Sequence, residues 1–293
     1  MSKSLGIILT AMVTPFDRDE AVDHAKLDEL TRFLLANGSD GLVVAGTTGE
    51  SPTLTDAEKL DMFRTVVAAA GGAPVVAGTG SNDTRHSVEL TRAAEACGVD
   101  GVLAVVPYYN KPPERGVLAH FRAIAAATSL PVIVYNIPGR CVINLPPEAL
   151  AELGTIDNIV AVKQANPDLD ETDRLMELSD LAVYAGNDDM LCDVMTRGGA
   201  GGICVASHVA GPWMAKVARL CREGDPAAAA AEDAALHDLY KALFVTPNPI
   251  PVKAALNLLG HEVGGLRLPL VPATPEETAV VDAELRRLGL TGP

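Results

Sequence analysis

Lys163 ends a short apolar segment that has the pattern of a buried strand. The residues before it, Ile159–Val162, are all apolar, and strands covered on both faces have such continuous Val and Ile runs. An ammonium group at the end of this strand would lie against an apolar wall, and desolvation lowers the pKa of a lysine. A neutral amine on a rigid element is the nucleophile that Schiff-base chemistry needs. The alternative is a solvated lysine whose stem covers apolar surface while its head reaches water.

Other apolar segments are also followed by polar residues that could assist such a nucleophile. These residues are Thr47, Thr48, Tyr108, Tyr109, Tyr135 and Arg140. Tyrosines carry protons, threonine hydroxyls donate hydrogen bonds, and a guanidinium group binds a carboxylate through two parallel hydrogen bonds. Taken singly, each is as well explained by a turn, a core-capping ring or a solvated surface. Together with Lys163 they supply a nucleophile, proton carriers and a carboxylate clamp.

The sequence lacks the motifs that other catalytic chemistries need. The six histidines are scattered, and none is spaced with another ligand as in a metal site. Neither the G-x-S-x-G motif of serine hydrolases nor the phosphate-binding G-x-x-x-x-G-K-[ST] loop occurs. Imine chemistry on a keto acid remains, without a metal or a separate cofactor.

Eight short apolar segments alternate with amphipathic segments at the spacing of βα units. The predicted strands are Gly6–Met12, Gly41–Ala45, Pro74–Ala77, Gly101–Val105, Val132–Tyr135, Ile159–Val162, Ala182–Ala185 and Gly202–Val205. Eight such units predict an α/β fold, a (β/α)8 TIM barrel, with Pro212–Arg222 as its eighth helix. Its active site would lie at the carboxyl ends of the strands. An open doubly wound sheet is the alternative, but the G-x-G-x-x-G turn that such sheets usually have after the first strand is absent.

The composition changes after residue 224. An alanine-rich helix is predicted from there to about Phe244, and prolines at 247, 249 and 251 mark the start of the next predicted helix, Ile250–Gly260. A last helix is predicted over Pro275–Leu288. We therefore expect a catalytic barrel over residues 1–224 and a C-terminal helical extension over residues 225–293. The extension would pack on the barrel or on another subunit.

Bulk properties narrow the possible partners and location. The formal net charge is −15 and the lysines and arginines do not cluster, so neither nucleic acid nor an anionic membrane is an expected partner. The five cysteines are widely spaced, without a C-x-x-C motif, which indicates reduced thiols in a cytosolic protein. The apolar stretch Leu5–Val13 lacks a signal-peptide cleavage site, and no apolar run is long enough to span a membrane. We expect a cytoplasmic protein.

The sequence resembles the dihydrodipicolinate synthase and N-acetylneuraminate lyase family of class I pyruvate-dependent barrel enzymes. The resemblance covers nearly the whole chain. It is carried by the segments Gly46–Ser51, Pro107–Pro112, Tyr135–Arg140, Val162–Lys163 and Asn248–Lys253. It implies that Lys163 condenses with pyruvate and that Tyr135 moves protons at the imine and enamine stages. Thr47 would relay protons between Tyr135 and Tyr109, which would arrive from a neighbouring subunit.

The resemblance also implies the binding residues. Thr48 would bind the carboxylate of pyruvate, the backbone of Gly186 and Ile203 would line the same pocket, and Arg140 would hold the carboxylate of L-aspartate 4-semialdehyde. Sialic acid lyases lack this arginine, because a sugar acid needs hydroxyl partners where a small anionic aldehyde needs a cation. The resemblance therefore favours condensation of pyruvate with that aldehyde, toward diaminopimelate and lysine. A lyase or aldolase acting on a sugar acid or another keto acid is the first alternative, and a catalytically silent barrel is the second.

Some residues depart from the family pattern. Gln164 and Asn187 stand where family members usually have acidic residues, and Cys204 and His208 are also unusual. These positions belong to the surroundings of the pocket, so they bear on substrate preference more than on imine formation.

Regulation and assembly follow from the same resemblance. In regulated members lysine binds at a subunit interface, near the positions equivalent to Ser51, Asp56, Lys59, Asn82, His86 and Tyr108. His86 replaces an acidic partner of the ligand's ammonium group and Lys59 adds a second cation, so we predict weak or absent inhibition by lysine. If Tyr109 must reach the Thr47 of a neighbour, at least a dimer is required, and the resemblance implies a homotetramer built of two such dimers.

Overall fold

Eight parallel strands form a closed barrel in a computed structural model that describes residues 5–290. The strands are β1 (Ile8–Ala11), β2 (Gly41–Val44), β3 (Val75–Gly78), β4 (Gly101–Val105), β5 (Val132–Asn136), β6 (Ile159–Gln164), β7 (Ala182–Ala185) and β8 (Gly201–Cys204). Each strand pairs with its neighbours in the chain, and β8 pairs with β1. The predicted (β/α)8 barrel is confirmed.

Helices follow every strand, and four more form the C-terminal extension. They are α1 (His24–Ala36), α2 (Asp56–Ala69), α3 (Thr84–Glu95), α4 (Glu114–Ala125), α5 (Pro138–Cys141), α6 (Pro147–Leu153), α7 (Leu169–Leu178), α8 (Leu191–Thr196), α9 (Ser207–Glu223), α10 (Pro226–Ala234), α11 (His237–Ala242), α12 (Ile250–Leu258) and α13 (Pro275–Arg287). Helix α2 begins with the capping box of Thr55 and Glu58, whose side chains each bond the backbone amide of the other. No helix among the described residues is long and apolar enough to cross a membrane.

The barrel interior is filled by alternate residues of the strands. Each strand from β1 to β8 contributes to this inner cluster, for example Leu9, Leu103 and Ile203, while the intervening residues pack against the helices. Since Ala161 and Ala165 belong to the inner cluster and side chains alternate along a strand, Lys163 also faces the interior.

Strand β6 runs further than the sequence predicts. It ends at Gln164 instead of Val162. Lys163 still pairs with Tyr135 on β5 and with Tyr184 on β7. The apolar run indicated the buried part of the strand, but the backbone ladder continues through two polar residues. Lys163 is therefore held within the sheet, on a more rigid element than a loop.

Two helical predictions also need correction. The eighth barrel helix begins at Ser207 instead of Pro212, and Ala210 has non-helical dihedral angles where the helix kinks before that proline. The alanine-rich segment forms two helices, α10 and α11, instead of one. Gly224 ends α9 in the left-handed conformation. The division into two domains at this residue stays a prediction.

Candidate active site

Lys163 lies in a cavity at the carboxyl ends of the strands. Its side chain is buried, and its Nζ atom lies 4.2 Å from the centre of the Tyr135 ring. Both residues line a cavity of about 580 Å³. The amine therefore contacts the face of the Tyr135 ring and the wall of the barrel. The alternative of a solvated surface lysine does not hold.

Most of the residues predicted for the site line this cavity. They are Thr47, Thr48, Tyr135, Arg140, Lys163 and Gly186. Ile203 belongs to the barrel interior, and Val205 lines the cavity from the same side of the barrel. Residues 5–290 contain no group of three or more His, Cys, Asp or Glu side chains that could hold a metal ion. The chemistry available is that of an amine, hydroxyl groups and a guanidinium group.

The loop after β2 carries both threonines and is held from two sides. Thr14 Oγ1 donates to the Gly49 carbonyl oxygen at 2.6 Å, and the Glu50 amide donates to the Thr47 carbonyl oxygen at 3.1 Å. Asn248 Nδ2 donates to Thr48 Oγ1 at 2.9 Å. The C-terminal extension thus contacts a proposed substrate-binding hydroxyl directly.

A buried ion pair ties the same loop to helix α12. Lys253 Nζ lies 2.6 Å from Glu50 Oε1, and the Arg267 amide donates to Glu50 Oε2 at 3.0 Å. Burial lowers the pKa of Lys253 to about 8, although the charge of Glu50 raises it. Both partners belong to segments that carried the family resemblance, but no local signal in the sequence pairs residues so far apart.

Gly186 lets β7 approach the end of β6 beside Lys163. Its amide donates to the Gln164 carbonyl oxygen at 2.7 Å. A Cβ atom at this position would lie 2.7 Å from Ala165 Cβ and 2.8 Å from the Gln164 carbonyl oxygen, closer than side chains pack. A glycine is therefore required at this edge of the site.

Asp188 is a buried carboxylate near Lys163, and no motif in the sequence points to it. It accepts hydrogen bonds of 2.8 Å from the amides of Val205 and Ala206. Burial raises the pKa of Asp188, while these amides and the charge of Lys163 lower it. Asp188 thereby joins the loop after β7 to the end of β8.

Gln164 and Asn187, whose side-chain amides depart from the family pattern, lie on different sides of the barrel wall. Gln164 is buried outside the cavity, where its Oε1 accepts from Asn136 Nδ2 at 3.0 Å and from the Asn166 amide at 3.2 Å. Asn187 lines the cavity and donates to the Ala165 carbonyl oxygen at 3.4 Å. A neutral Gln164 accepts these hydrogen bonds without adding a charge beside the lysine.

Arg140 and Tyr109 lie at the mouth of the barrel. Arg140 belongs to the short helix α5, and its Nη2 donates to the Asn248 carbonyl oxygen at 3.3 Å. Tyr109 is 88% exposed with a φ of +69°, and it does not line the cavity of its own chain. Tyr108 lines a second cavity of about 330 Å³ that shares Thr47, Arg140 and other residues with the first.

Comparisons with known proteins identify the family of this chain. A profile of the dihydrodipicolinate synthetase family matches residues 4–288. The 4-hydroxy-tetrahydrodipicolinate synthase of Moorella thermoacetica is 51% identical over 288 residues, which cover 97% of this chain and 99% of the relative. That of Bacillus subtilis is 47% identical over 289 residues, which cover 97% and 100%.

Solved structures are also similar to this chain in fold and sequence. The crystal structure of the dihydrodipicolinate synthase from Cyanidioschyzon merolae with lysine bound is 43% identical, with a TM-score of 0.96 and coverage of 98% and 99%. The structure of dihydrodipicolinate synthase from Aquifex aeolicus is 38% identical, with a TM-score of 0.95 and coverage of 98% and 99%. The chain belongs to the dihydrodipicolinate synthetase family.

Proposed function

We propose that this chain is a 4-hydroxy-tetrahydrodipicolinate synthase, which condenses pyruvate with L-aspartate 4-semialdehyde on the way to diaminopimelate and lysine. The observation that carries the proposal is the buried amine of Lys163, 4.2 Å from the Tyr135 ring centre, in a cavity with a guanidinium group at its mouth. Relatives with this name share about 50% sequence identity with this chain over nearly its whole length.

The proposed chemistry needs no cofactor, because the chain supplies the imine nitrogen. The Lys163 amine adds to the keto carbon of pyruvate, and water leaves to form the imine. Loss of a methyl proton gives an enamine, whose carbon attacks the aldehyde of the second substrate. The amine of that substrate then displaces Lys163 from the imine carbon, which closes the ring and frees the enzyme. One water is released overall.

The lining residues divide these steps between them. Tyr135 carries protons to and from the reacting groups, and Thr47 connects its hydroxyl with Tyr109 from a neighbouring copy. Thr48 and the backbone of Gly186 and Ile203 hold the pyruvate unit. Arg140 binds the carboxylate of the semialdehyde, since a planar guanidinium group matches a carboxylate in geometry and charge.

We propose a homotetramer built of two dimers that share Tyr109. The exposure of this ring and its positive φ support a contact outside the chain, because strained backbone persists where the surroundings determine it. The net charge of −15 supports small molecules as partners over nucleic acid or membrane. The five widely spaced cysteines without a C-x-x-C motif support a cytoplasmic enzyme.

Borohydride reduction in the presence of pyruvate, followed by peptide mass mapping, tests the proposed imine. We expect a reduced adduct on Lys163 and none in a Lys163→Met variant. An adduct on a different lysine, or none in the unchanged protein, would overturn the proposal. A panel of aldehydes assayed with pyruvate then distinguishes the synthase from a lyase or aldolase acting on other substrates.

A further inference from the structure

Asn248 reaches the site from the C-terminal extension and contacts both proposed carboxylate-binding residues. It lies just before α12, is buried, and lines both cavities. Its side-chain amide donates to Thr48 Oγ1 at 2.9 Å, and its main-chain carbonyl oxygen accepts from Arg140 Nη2 at 3.3 Å. The family resemblance implies no role for Asn248.

The direction of the first hydrogen bond determines what Thr48 can do. A threonine hydroxyl that accepts from an amide N–H keeps its own proton. Within residues 5–290 no group accepts a hydrogen bond from this proton, so it remains available to an anion in the cavity. If the Asn248 amide were turned over, its oxygen would accept the Thr48 proton and the hydroxyl could no longer donate to a substrate.

Burial favours the orientation that is observed. In this orientation Asn248 Oδ1 is buried without a hydrogen-bond partner among the described residues. In the reversed orientation the amide nitrogen would be buried without a partner instead, and orphaned donors are rarer in proteins than under-satisfied carbonyl groups. An unpaired Asn248 Oδ1 therefore costs less free energy than an unpaired amide nitrogen, and this orientation keeps the Thr48 proton free.

We propose that Asn248 is a positioning residue for pyruvate, which directs the Thr48 hydroxyl proton toward the substrate carboxylate. This inference rests on the proposed function, because it assumes that pyruvate binds beside Lys163. Asn248 acts through Thr48 with its side chain, whereas it contacts Arg140 only with its main chain. Side-chain substitutions therefore act on pyruvate and leave the contact with the second substrate's binding residue in place.

The Asn248→Asp variant provides the sharpest test. An ionised carboxylate can only accept, so it would take the Thr48 proton, and its charge would repel pyruvate. We expect the pyruvate concentration for half-maximal borohydride trapping to rise about ten- to a hundredfold, the range for hydrogen bonds to charged groups. In the neutral Asn248→Ala variant the KM for the semialdehyde should change by less than about threefold, since that variant retains the main-chain carbonyl that accepts from Arg140. Equal pyruvate half-saturation in variant and unchanged protein would overturn the inference.

A double-mutant cycle separates positioning from a general loss of packing. Asn248→Ala should weaken pyruvate binding about tenfold in the unchanged background and less than about twofold when Thr48→Val is also present. Additive effects would show that Asn248 does not act through Thr48. Asn257→Ala is the matched control, because Asn257 Nδ2 bonds the Gly264 carbonyl oxygen at 2.9 Å in the same extension without lining either cavity.

The outcomes distinguish this inference from the proposed function. If the unchanged protein forms no adduct on Lys163, the proposed function fails. If it forms the adduct and the Asn248 variants bind pyruvate equally well, only the role of Asn248 fails. Should Asn248→Asp not fold, judged by its urea unfolding curve, Asn248→Ser replaces it as a neutral variant too short to reach Thr48, and its expected loss of pyruvate binding is the roughly tenfold loss of Asn248→Ala.

Discussion

Lys253 and Glu50 form an ion pair of 2.6 Å in which both side chains are at most 1% exposed. The pair joins helix α12 to the loop that carries Thr47 and Thr48. Lys253 Nζ also donates to the Gly265 carbonyl oxygen at 2.5 Å and lies 4.2 Å from the centre of the Phe16 ring. The C-terminal extension therefore helps to shape the mouth of the barrel as well as covering it.

Removing one partner of this pair should destabilise the protein strongly. Lys253→Met leaves the Glu50 carboxylate buried without its cation, and breaking a buried pair costs about 3–5 kcal/mol. We expect the double variant Glu50→Gln, Lys253→Met to recover a large part of that loss, because a neutral amide can still accept from the Arg267 amide. Urea unfolding at one fixed protein concentration measures both free energies of unfolding. A double variant no more stable than the single one would contradict this explanation.

His208 should make the protein less stable in acid. Burial lowers its pKa to about 4, and its neutral ring donates from Nδ1 to the Val205 carbonyl oxygen and accepts the Val13 N–H at Nε2. Below the ordinary pKa of 6.5 the unfolded chain takes up a proton that the folded chain does not. The free energy of unfolding therefore falls as the pH drops from 6.5 toward 4, by about 3 kcal/mol for this residue.

Urea unfolding at about pH 7, pH 5.5 and pH 4.5 measures this dependence. His208→Gln should reduce the slope in the acid range, since glutamine does not titrate. Buried His120 also has a pKa lowered to about 4, so part of the slope will remain in that variant. An unchanged slope would show that His208 does not contribute.

Gly186→Ala should displace the reactive lysine without removing a functional group. The added Cβ would lie 2.7 Å from Ala165 Cβ, so the end of β6 must move. A misplacement of about 1 Å lowers rates about a hundredfold, and we expect that loss in the rate of pyruvate trapping. Gly265→Ala is the control, since a Cβ there meets no atom within 4 Å. Equal trapping rates in the two variants would contradict the expected strain.

The sequence predicts the barrel well because its signals are local. Each strand contains a short, largely apolar segment, and one face of each strand fills the barrel while the other packs on helices. Lys163 and Tyr135 could be placed together because both follow such runs, and parallel strands bring their carboxyl ends to one mouth. The pairing of these two residues in the β5–β6 register agrees with that reasoning.

The contacts that complete the site could not be predicted in this way. Glu50 pairs with Lys253 and Thr48 with Asn248, across about two hundred positions. Nothing in the pattern around either member indicates its partner, because the route of the C-terminal extension over the barrel depends on packing. Asp188 was missed for the same reason, since the groups that donate hydrogen bonds to its carboxylate are backbone amides at the end of another strand.

Arg140 should determine the use of the second substrate and not the formation of the imine. Arg140→Ala removes the guanidinium group at the mouth, and we expect the KM for L-aspartate 4-semialdehyde to rise about a hundredfold, as for the loss of a strong charge-assisted pair. Borohydride trapping with pyruvate should persist. Arg140→Lys should recover only part of the loss, because an ammonium group lacks the planar pair of donors. Loss of trapping in Arg140→Ala would contradict this division of roles.

Lysine should inhibit this enzyme weakly or not at all, because the carboxylate that could bind its ammonium group is already paired. His86 Nε2 lies 2.8 Å from Asp56 Oδ2, and Lys59 Nζ lies 3.7 Å from Asp56 Oδ1. A bound lysine would have to displace one of these partners or place a third nitrogen beside them. We expect activity to be unchanged at sub-millimolar lysine. His86→Glu should create inhibition, since it replaces a competing donor with a second carboxylate, whereas His24→Glu on helix α1 should not. A steep loss of activity in the unchanged protein at sub-millimolar lysine would show that Asp56 exchanges its partners for the ligand.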